Sequence, residues 1–516
     1  MPSHGTTSGR IAAGKCSILN ITMTIKDLQP SVVWNNFYSL TRCPRPSKHE
    51  EIVRKFLLDW AAERKIEAFA DETGNVIMRV PATPGYEHLK TVVLQGHMDM
   101  VPQKNADVKH DFVKDPIETW VDGEWLRAKG TTLGADNGLG VALAMSVVET
   151  PSVKHGPIEI LVTYDEETGM TGANLLKPGV LKGDILINLD SETEGELYVG
   201  CAGGLDATAS ARYRRKKEPK RGYLCYSLAV KGCQGGHSGM DIILCRANAN
   251  RLIARVLLPL LEKHGVKLVD LEGGSLRNAI PREAFATVYV PVKGLSGAKR
   301  AVTRVANALK AEFAATDPGL QVLFEPYQCA EDEVCEPDEC KYVEEASALR
   351  FIRCILACPD GVERMSDAMP GMVETSNNLA IVQIYRGRFM VKCLMRSSVD
   401  SAKAALARRM ESVFKLAGVG IKFSGGYSGW APNPTSEIRA VMKKVYKEMF
   451  GEEPKVMAIH AGLECGILSG AYPHWDMVSM GPTLLSPHSP DERAFIPSVQ
   501  KVWDFLQQVL VNIPAK

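Results

Sequence analysis

The stretch Val92–Met100, VVLQGHMDM, decides how this chain is read. Its opening apolar run, Thr91 to Leu94, has the pattern of a buried strand. The run ends in Gln95 and Gly96, then presents His97, with Asp99 two residues further on. A strand that ends in an imidazole next to a carboxylate needs a chemical reason.

Outward from there, Ile158–Thr163 and Ile185–Leu189 are also short, apolar and partly β-branched. Between the first two strands lies Asn137–Thr150, NGLGVALAMSVVET, which reads as a helix with a polar start. Upstream, residues 31–64 read as helical, with apolar residues at helical spacing in HEEIVRKFLLDWAAERK. Buried strands alternating with helices predict an α/β fold, with a central, mostly parallel sheet flanked by helices.

In such sheets ligands bind at the carboxyl ends of the strands. The first predicted strand ends at His97 and Asp99. The second runs into YDEETG, with Asp165, Glu166 and Glu167, and the third into Asp190. Asp136 opens the 137–150 helix, and the strand DMVSMG leads to a loop carrying His488. Each has a plainer reading alone: a polar rim histidine, a solvated acidic turn, an N-cap aspartate. Their recurrence at equivalent sheet positions, with glycines around Asp136, tips the balance towards a metal site. Histidine and carboxylate without cysteine suit zinc, with manganese or cobalt as alternatives.

A chain of 516 residues is too long for one core, so two or more domains are expected. The texture changes after Gly203: residues 205–410 read as an inserted α+β domain containing the long helix ANANRLIARVLLPLLEKHG. That leaves a flexible tail at 1–27 and a first domain made of 28–204 and 411–516. The insertion carries two charged stretches, RYRRKKEPKR and AEDEVCEPDEC, read as solvated. A net charge of +1 argues against a broad nucleic-acid or membrane footprint, and no apolar run is long enough to span a bilayer. Thirteen scattered cysteines suit reduced thiols and a cytoplasmic location. HExxH, GxSxG and phosphate-loop signatures are absent.

VVLQGHMDMVPQKN, GTTLGADNGLG, TYDEETGMTGA, LINLDSETEGELYVGCAGG, GGHSGMDI, RNAIPREA, HAGLECG and GPTLLSPHSPDE occur in this order. Together they closely resemble the aminoacyl-histidine dipeptidases (Xaa-His dipeptidases, peptidase D). That branch belongs to the dinuclear-zinc metallopeptidases, with carnosinases, peptidase T, glutamate carboxypeptidase and acetylornithine deacetylase. The resemblance runs from about residue 28 to the C-terminus; the tail and the two charged stretches depart from it. It implies hydrolysis of dipeptides, Xaa-His and more broadly Cys-Gly-type, by a water activated by two zinc ions. His97 and Asp190 would then serve one ion, Glu167 and His488 the other, and Asp136 both. Glu166 would be the general base, and Asp99 the carboxylate that orients His97.

In the lid domain the resemblance makes His237 the histidine that reaches across a homodimer to the partner's site. Arg396 and Asn278 would take the substrate's C-terminal carboxylate, with Gly462 and Glu464 lining the pocket. An ordinary salt bridge for Arg396 and a buried structural glutamate at Glu464 are the plainer readings. Two rival functions stand beside this one: an N-acyl amino-acid deacylase with the same site, and a non-catalytic scaffold. Every ligand and base position being filled argues against the second.

Overall fold

The computed structural model describes residues 23–219, 221–327 and 341–516. Most of the expected tail, residues 1–22, lies outside them. Ile25–Asp27 forms one 3-10 turn, and Ile25 and Leu28 are already buried in the first core, so that body starts before the expected residue 28.

Among the described residues, the first domain is built on an eight-stranded sheet. Its order is Glu67–Ala70, Val76–Val80, Ile158–Thr163, Val92–His97, Ile185–Asn188, Asp476–Ser479, Glu196–Cys201, Lys455–Ile459. The four central strands run parallel, and the outermost pair at the Lys455 edge is parallel too. Three pairs are antiparallel, so the sheet is mixed around a parallel centre. The parallel centre follows from sequence: the strands at 92, 158 and 185 are buried throughout, as strands covered on both faces must be.

Side chains alternate between two cores. Val92, Leu94, Ile158, Ile160, Ile185 and Ile187 join helices Ser31–Thr41, Ala135–Glu149 and Ile496–Val511 on one face. Val93, Leu161 and Leu186 join helix Glu464–Ala471, Tyr472 and Trp475 on the other. From Val92–His97 the chain passes to a neighbour on one side, Ile158–Thr163, and then to one on the other, Ile185–Asn188. This switch point opens a crevice beyond His97.

The expected helical stretch 31–64 is two helices, Ser31–Thr41 and Glu51–Glu63. The connection between them carries the buried Arg45 towards the crevice.

The second domain is a nine-stranded sheet, each of whose strand pairs is antiparallel, covered by helices Ala249–Lys263, Leu295–Glu312, Glu345–Ala357 and Asp400–Leu416. It begins with Gly203–Arg212 and closes with Gly420–Ser424, which pairs with that first strand. The expected return at 411 therefore comes too early. Asp400–Leu416 packs on this sheet and Gly420–Ser424 completes its edge, an antiparallel closure that charge and hydropathy do not display. In the basic stretch, Arg215–Lys216 pairs with Tyr342–Val343; the acidic stretch falls outside the described residues. No helix of the described residues is long and apolar enough to cross a membrane, and their cysteines are free thiols.

Candidate metal centre

The cluster is assembled around Asp136. The carboxylate of Glu492 accepts hydrogen bonds from the backbone N–H groups of Leu133 (2.7 Å), Gly134 (3.0 Å), Ala135 (2.8 Å) and Asp136 (3.3 Å). These four donors belong to the turn that leads into the helix Ala135–Glu149, and one distant side chain satisfies them all. Arg45 donates to the carbonyls of Met98, Asp99 and Gly134 from behind. Gly134 has φ +70°, and a β-carbon there would stand 2.7 Å from the Arg45 guanidinium. The glycines around Asp136 thus admit the arginine that clamps the turn.

Asp136 then divides its carboxylate between two histidines. Oδ1 lies 3.2 Å from His97 Nε2, and Oδ2 lies 3.1 Å from His488 Nε2. Each imidazole faces a second carboxylate: Asp190 Oδ1 is 3.4 Å from His97 Nε2, and Glu167 Oε2 is 3.0 Å from His488 Nε2. The other His97 nitrogen, Nδ1, is 3.3 Å from Asp99 Oδ1. Asp99 in turn accepts from Ser47 Oγ (2.8 Å) and from the backbone N–H groups of Glu166 (3.0 Å) and Glu167 (3.2 Å). It therefore ties the HMD stretch to the EE pair. Asp165, also an expected candidate, has its carboxylate on the hydroxyls of Thr168 and Thr171 instead.

Electrostatics follow from burial and proximity. Burial opposes a charged His97, but Asp190, Asp136 and Asp99 outweigh it and push the imidazole well above its usual range. Hydrogen bonds to Asp136 and Glu167 push His488 up to about 11. Burial raises Asp190 to about 6 and lifts Glu166 well above the ordinary carboxylate range. The carboxylates thus favour positive charge at the centre of the cluster, the charge that a metal ion brings. The donor set also passes a geometric test. Ligands about 2.0–2.2 Å from a tetrahedral zinc lie roughly 3.3 Å from one another, close to the separations of 3.0–3.4 Å seen around each histidine. His97, Asp136 and Glu167 bring ligand atoms within 4.8 Å of one another, and Glu167 Oε1 is buried without a hydrogen-bond partner among the described residues. His488 is 51% exposed where His97 is 1% exposed, so the cluster opens to solvent on the His488 side.

Residues 93–512 match the model of peptidase family M20/M25/M40. The chain belongs to this peptidase family. It is 44% identical to the cytosol non-specific dipeptidase of Escherichia coli (strain K12), over 95% of this chain and 99% of that protein. The crystal structure of aminoacylhistidine dipeptidase from Vibrio alginolyticus superposes with a TM-score of 0.91 at 45% identity, covering 96% of this chain and 99% of that one. An aminopeptidase from Bacillus cereus, 15% identical, shares the fold with a TM-score of 0.54 over 94% of this chain and 99% of its own. The dipeptidase branch read from the motifs is thereby borne out.

Of the remaining expected residues, Glu464 is tied to the strands that carry the cluster. Glu464 is buried; its Oε2 accepts from Gln95 Nε2 (2.6 Å) and Thr163 Oγ1 (2.7 Å), and burial raises it to about 8. A β-carbon on Gly462 would stand 3.0 Å from the Tyr427 hydroxyl and 3.2 Å from Met170. On the second domain, buried Arg396 reaches the Tyr427 hydroxyl at 3.5 Å. No carboxylate pairs with it among the ion pairs of the described residues, which disfavours the plain salt-bridge reading. His237 accepts at Nδ1 from the N–H groups of Gly239 (3.3 Å) and Met240 (3.2 Å), which puts the neutral ring's proton on Nε2. Burial and Arg396 lower its basicity further. Asn278 is exposed; its carbonyl accepts from Ser238 N–H (2.8 Å) next to the His237 strand.

Sequence reasoning missed Arg45, Ser47, Glu492, Tyr427 and His460. Glu492 stands inside the quoted PHSPDE motif, so its neighbourhood to His488 was a usable signal. His460 likewise heads the quoted HAGLECG, whereas Arg45 works on backbone carbonyls, Ser47 on Asp99 and Tyr427 on Arg396, contacts between residues distant in sequence that leave no local pattern.

Proposed function

We infer that the chain is a metal-dependent dipeptidase whose centre is held by His97 and Asp190 on one side, His488 and Glu167 on the other, and Asp136 between. The division of the Asp136 carboxylate between two histidines, at 3.2 and 3.1 Å, carries this reading. Zinc is the proposed metal, since imidazole and carboxylate donors at tetrahedral spacing suit it. Held by these residues, two such ions would lower the pKa of a bound water towards neutrality and would polarise the scissile carbonyl.

The chain's own residues do the rest. Glu166 accepts the proton of the attacking water at its carboxylate and returns it to the leaving amine. Its burial makes it a better proton holder than an ordinary carboxylate. Asp99 orients His97 through Nδ1 and braces the Glu166 and Glu167 backbone. His237, neutral with its proton on Nε2, donates to the carbonyl oxygen as negative charge develops there. It does so in the partner's site of a homodimer. Arg396 grips the C-terminal carboxylate with its planar fork, with Asn278 and Gly462 beside it. Xaa-His dipeptides are the proposed substrates, extending to others such as Cys-Gly; the names of the relatives, one an aminoacylhistidine dipeptidase and one a non-specific dipeptidase, favour a broad range. A cytoplasmic site of action accords with the name of the Escherichia coli relative.

Metal analysis paired with turnover of a dipeptide panel and N-acetyl amino acids tests the reading. Dipeptide turnover that disappears on chelation and returns with zinc is expected. Faster turnover of the N-acetyl amino acids would replace it with a deacylase.

A further inference from the structure

Arg396 and the histidine–carboxylate cluster are tied together by one short segment, residues 460–464. Arg396 stands directly opposite Ser376 on the antiparallel strands Val373–Tyr385 and Arg388–Ser397 of the second domain. Ser376 Oγ lies 2.7 Å from Nε2 of His460, a residue of the first domain. A second strut runs from Arg396 to the Tyr427 hydroxyl, which packs over Gly462. Two residues on, Glu464 bonds to Gln95 and Thr163. Gln95 precedes His97 by two residues on the same strand face, and Thr163 ends the strand that runs into Glu166. The segment is therefore clamped at one end to the arginine and at the other to the strands that carry ligand and base. Its polar contacts are sealed from water: Ser376 and Glu464 are 1% exposed and His460 is 6% exposed. Burial and the nearby Arg396 depress His460 to about 3, so the latch does not titrate near neutral pH.

We propose that residues 460–464, latched through Ser376–His460 and Tyr427, are a spacer of fixed length between Arg396 and the metal cluster, and that this length selects peptides of two residues. The inference rests on the reading of Arg396 as the carboxylate clamp. One extra residue lengthens an extended peptide by about 3.3–3.6 Å. A spacer of buried hydrogen bonds yields far less than that without breaking. His460, Ser376 and Tyr427 act through Arg396 and are positioning residues.

The test is steady-state kinetics of Ala-Ala and Ala-Ala-Ala on the full-length, zinc-loaded protein. Wild type is compared with Ser376→Ala, His460→Ala, His460→Gln and Tyr427→Phe. The alanine and phenylalanine variants should raise KM for Ala-Ala about fivefold, the size of one lost hydrogen bond. Their kcat should stay within about twofold, because Glu166 and the cluster are untouched. The ratio of tripeptide to dipeptide kcat/KM should rise by about fivefold or more. His460→Gln, whose amide nitrogen reaches the Ser376 hydroxyl, should restore both. Thermal unfolding and zinc content identify folded variants, and Tyr427→Phe, which deletes a single hydroxyl, serves if the His460 variants do not fold. An unchanged ratio in folded variants, or an equal fall in kcat on both peptides, overturns the spacer. If Arg396→Ala leaves KM for Ala-Ala unchanged in an otherwise active enzyme, the clamp falls and the spacer with it. A wild type without Ala-Ala turnover overturns the dipeptidase reading instead.

Discussion

Asp136, Glu166 and Glu167 are separable by what each loses on substitution. Asp136 meets His97 and His488 with different oxygens, so Asp136→Ala should cost both metal equivalents together. One tightly retained equivalent in the folded variant, measured by metal analysis, would show that the two sides do not share it. Glu167 faces His488 at 3.0 Å, whereas Glu166 makes no such contact among the described residues. Glu166→Ala should therefore keep its metal and lose nearly all turnover, since general acid–base assistance contributes about 10²–10⁴-fold. Glu167→Ala should bind metal weakly. Zinc loss in the Glu166 variant matching its loss of activity would reverse the two roles. Glu166 and Glu167 stand just after an apolar run and Asp136 at the polar start of an apolar helix, so all three could be singled out from the sequence. Their supports could not. Ser47 reaches Asp99 from a loop between two helices, and Arg45 works on carbonyl groups, which sequence does not mark.

At the level of elements, the start of the Ala135–Glu149 helix is the part most exposed to a single change. Four backbone N–H groups converge on Glu492, which is buried. Glu492→Ala strands those donors, and a buried unsatisfied donor costs about 1–3 kcal/mol. The Asp136 carboxylate should lose its fixed direction, and metal affinity should fall about 10–100-fold, as when a ligand's supporting partner is removed. Denaturant unfolding and zinc titration read the two effects separately. Lower stability with unchanged zinc affinity would make Glu492 a cap for the helix and nothing more. The helix itself was plain from its apolar run after a polar start, whereas its cap comes from a residue far away along the chain. The stretch 31–64, expected to be helical, is helical on both sides of a break that the sequence itself marks. The break falls at Pro44 and Pro46, which lack the amide donors a continuing helix needs, and it lets Arg45 between them turn inward.

For the whole molecule, the insertion was visible as a change of texture after Gly203, but its end was not. Gly420–Ser424 belongs to the second sheet by pairing with the strand that opens the insertion, a long-range contact that local pattern does not encode. The two-domain arrangement leaves His237 and Arg396 on one body and the proposed metal ligands on the other. Within its own chain His237 lies near Arg396 and His460, and its Nε2–H is left to donate. A homodimer with two-fold symmetry would offer that donor to the neighbouring cluster, and such isologous pairing is the commonest oligomeric state. Losing one oxyanion donor costs about 10²–10³ in rate, so His237→Ala and Glu166→Ala should each be nearly inactive alone. Mixing them under conditions of demonstrated subunit exchange pairs one intact Glu166 site with an intact His237 from the other subunit. Each mixed dimer should then recover up to about half of wild-type activity, by counting sites under two-fold symmetry. The recovered activity should scale with the fraction of mixed dimers seen by native mass spectrometry. Exchange without any return of activity would place His237's action within its own chain, beside Arg396 and His460.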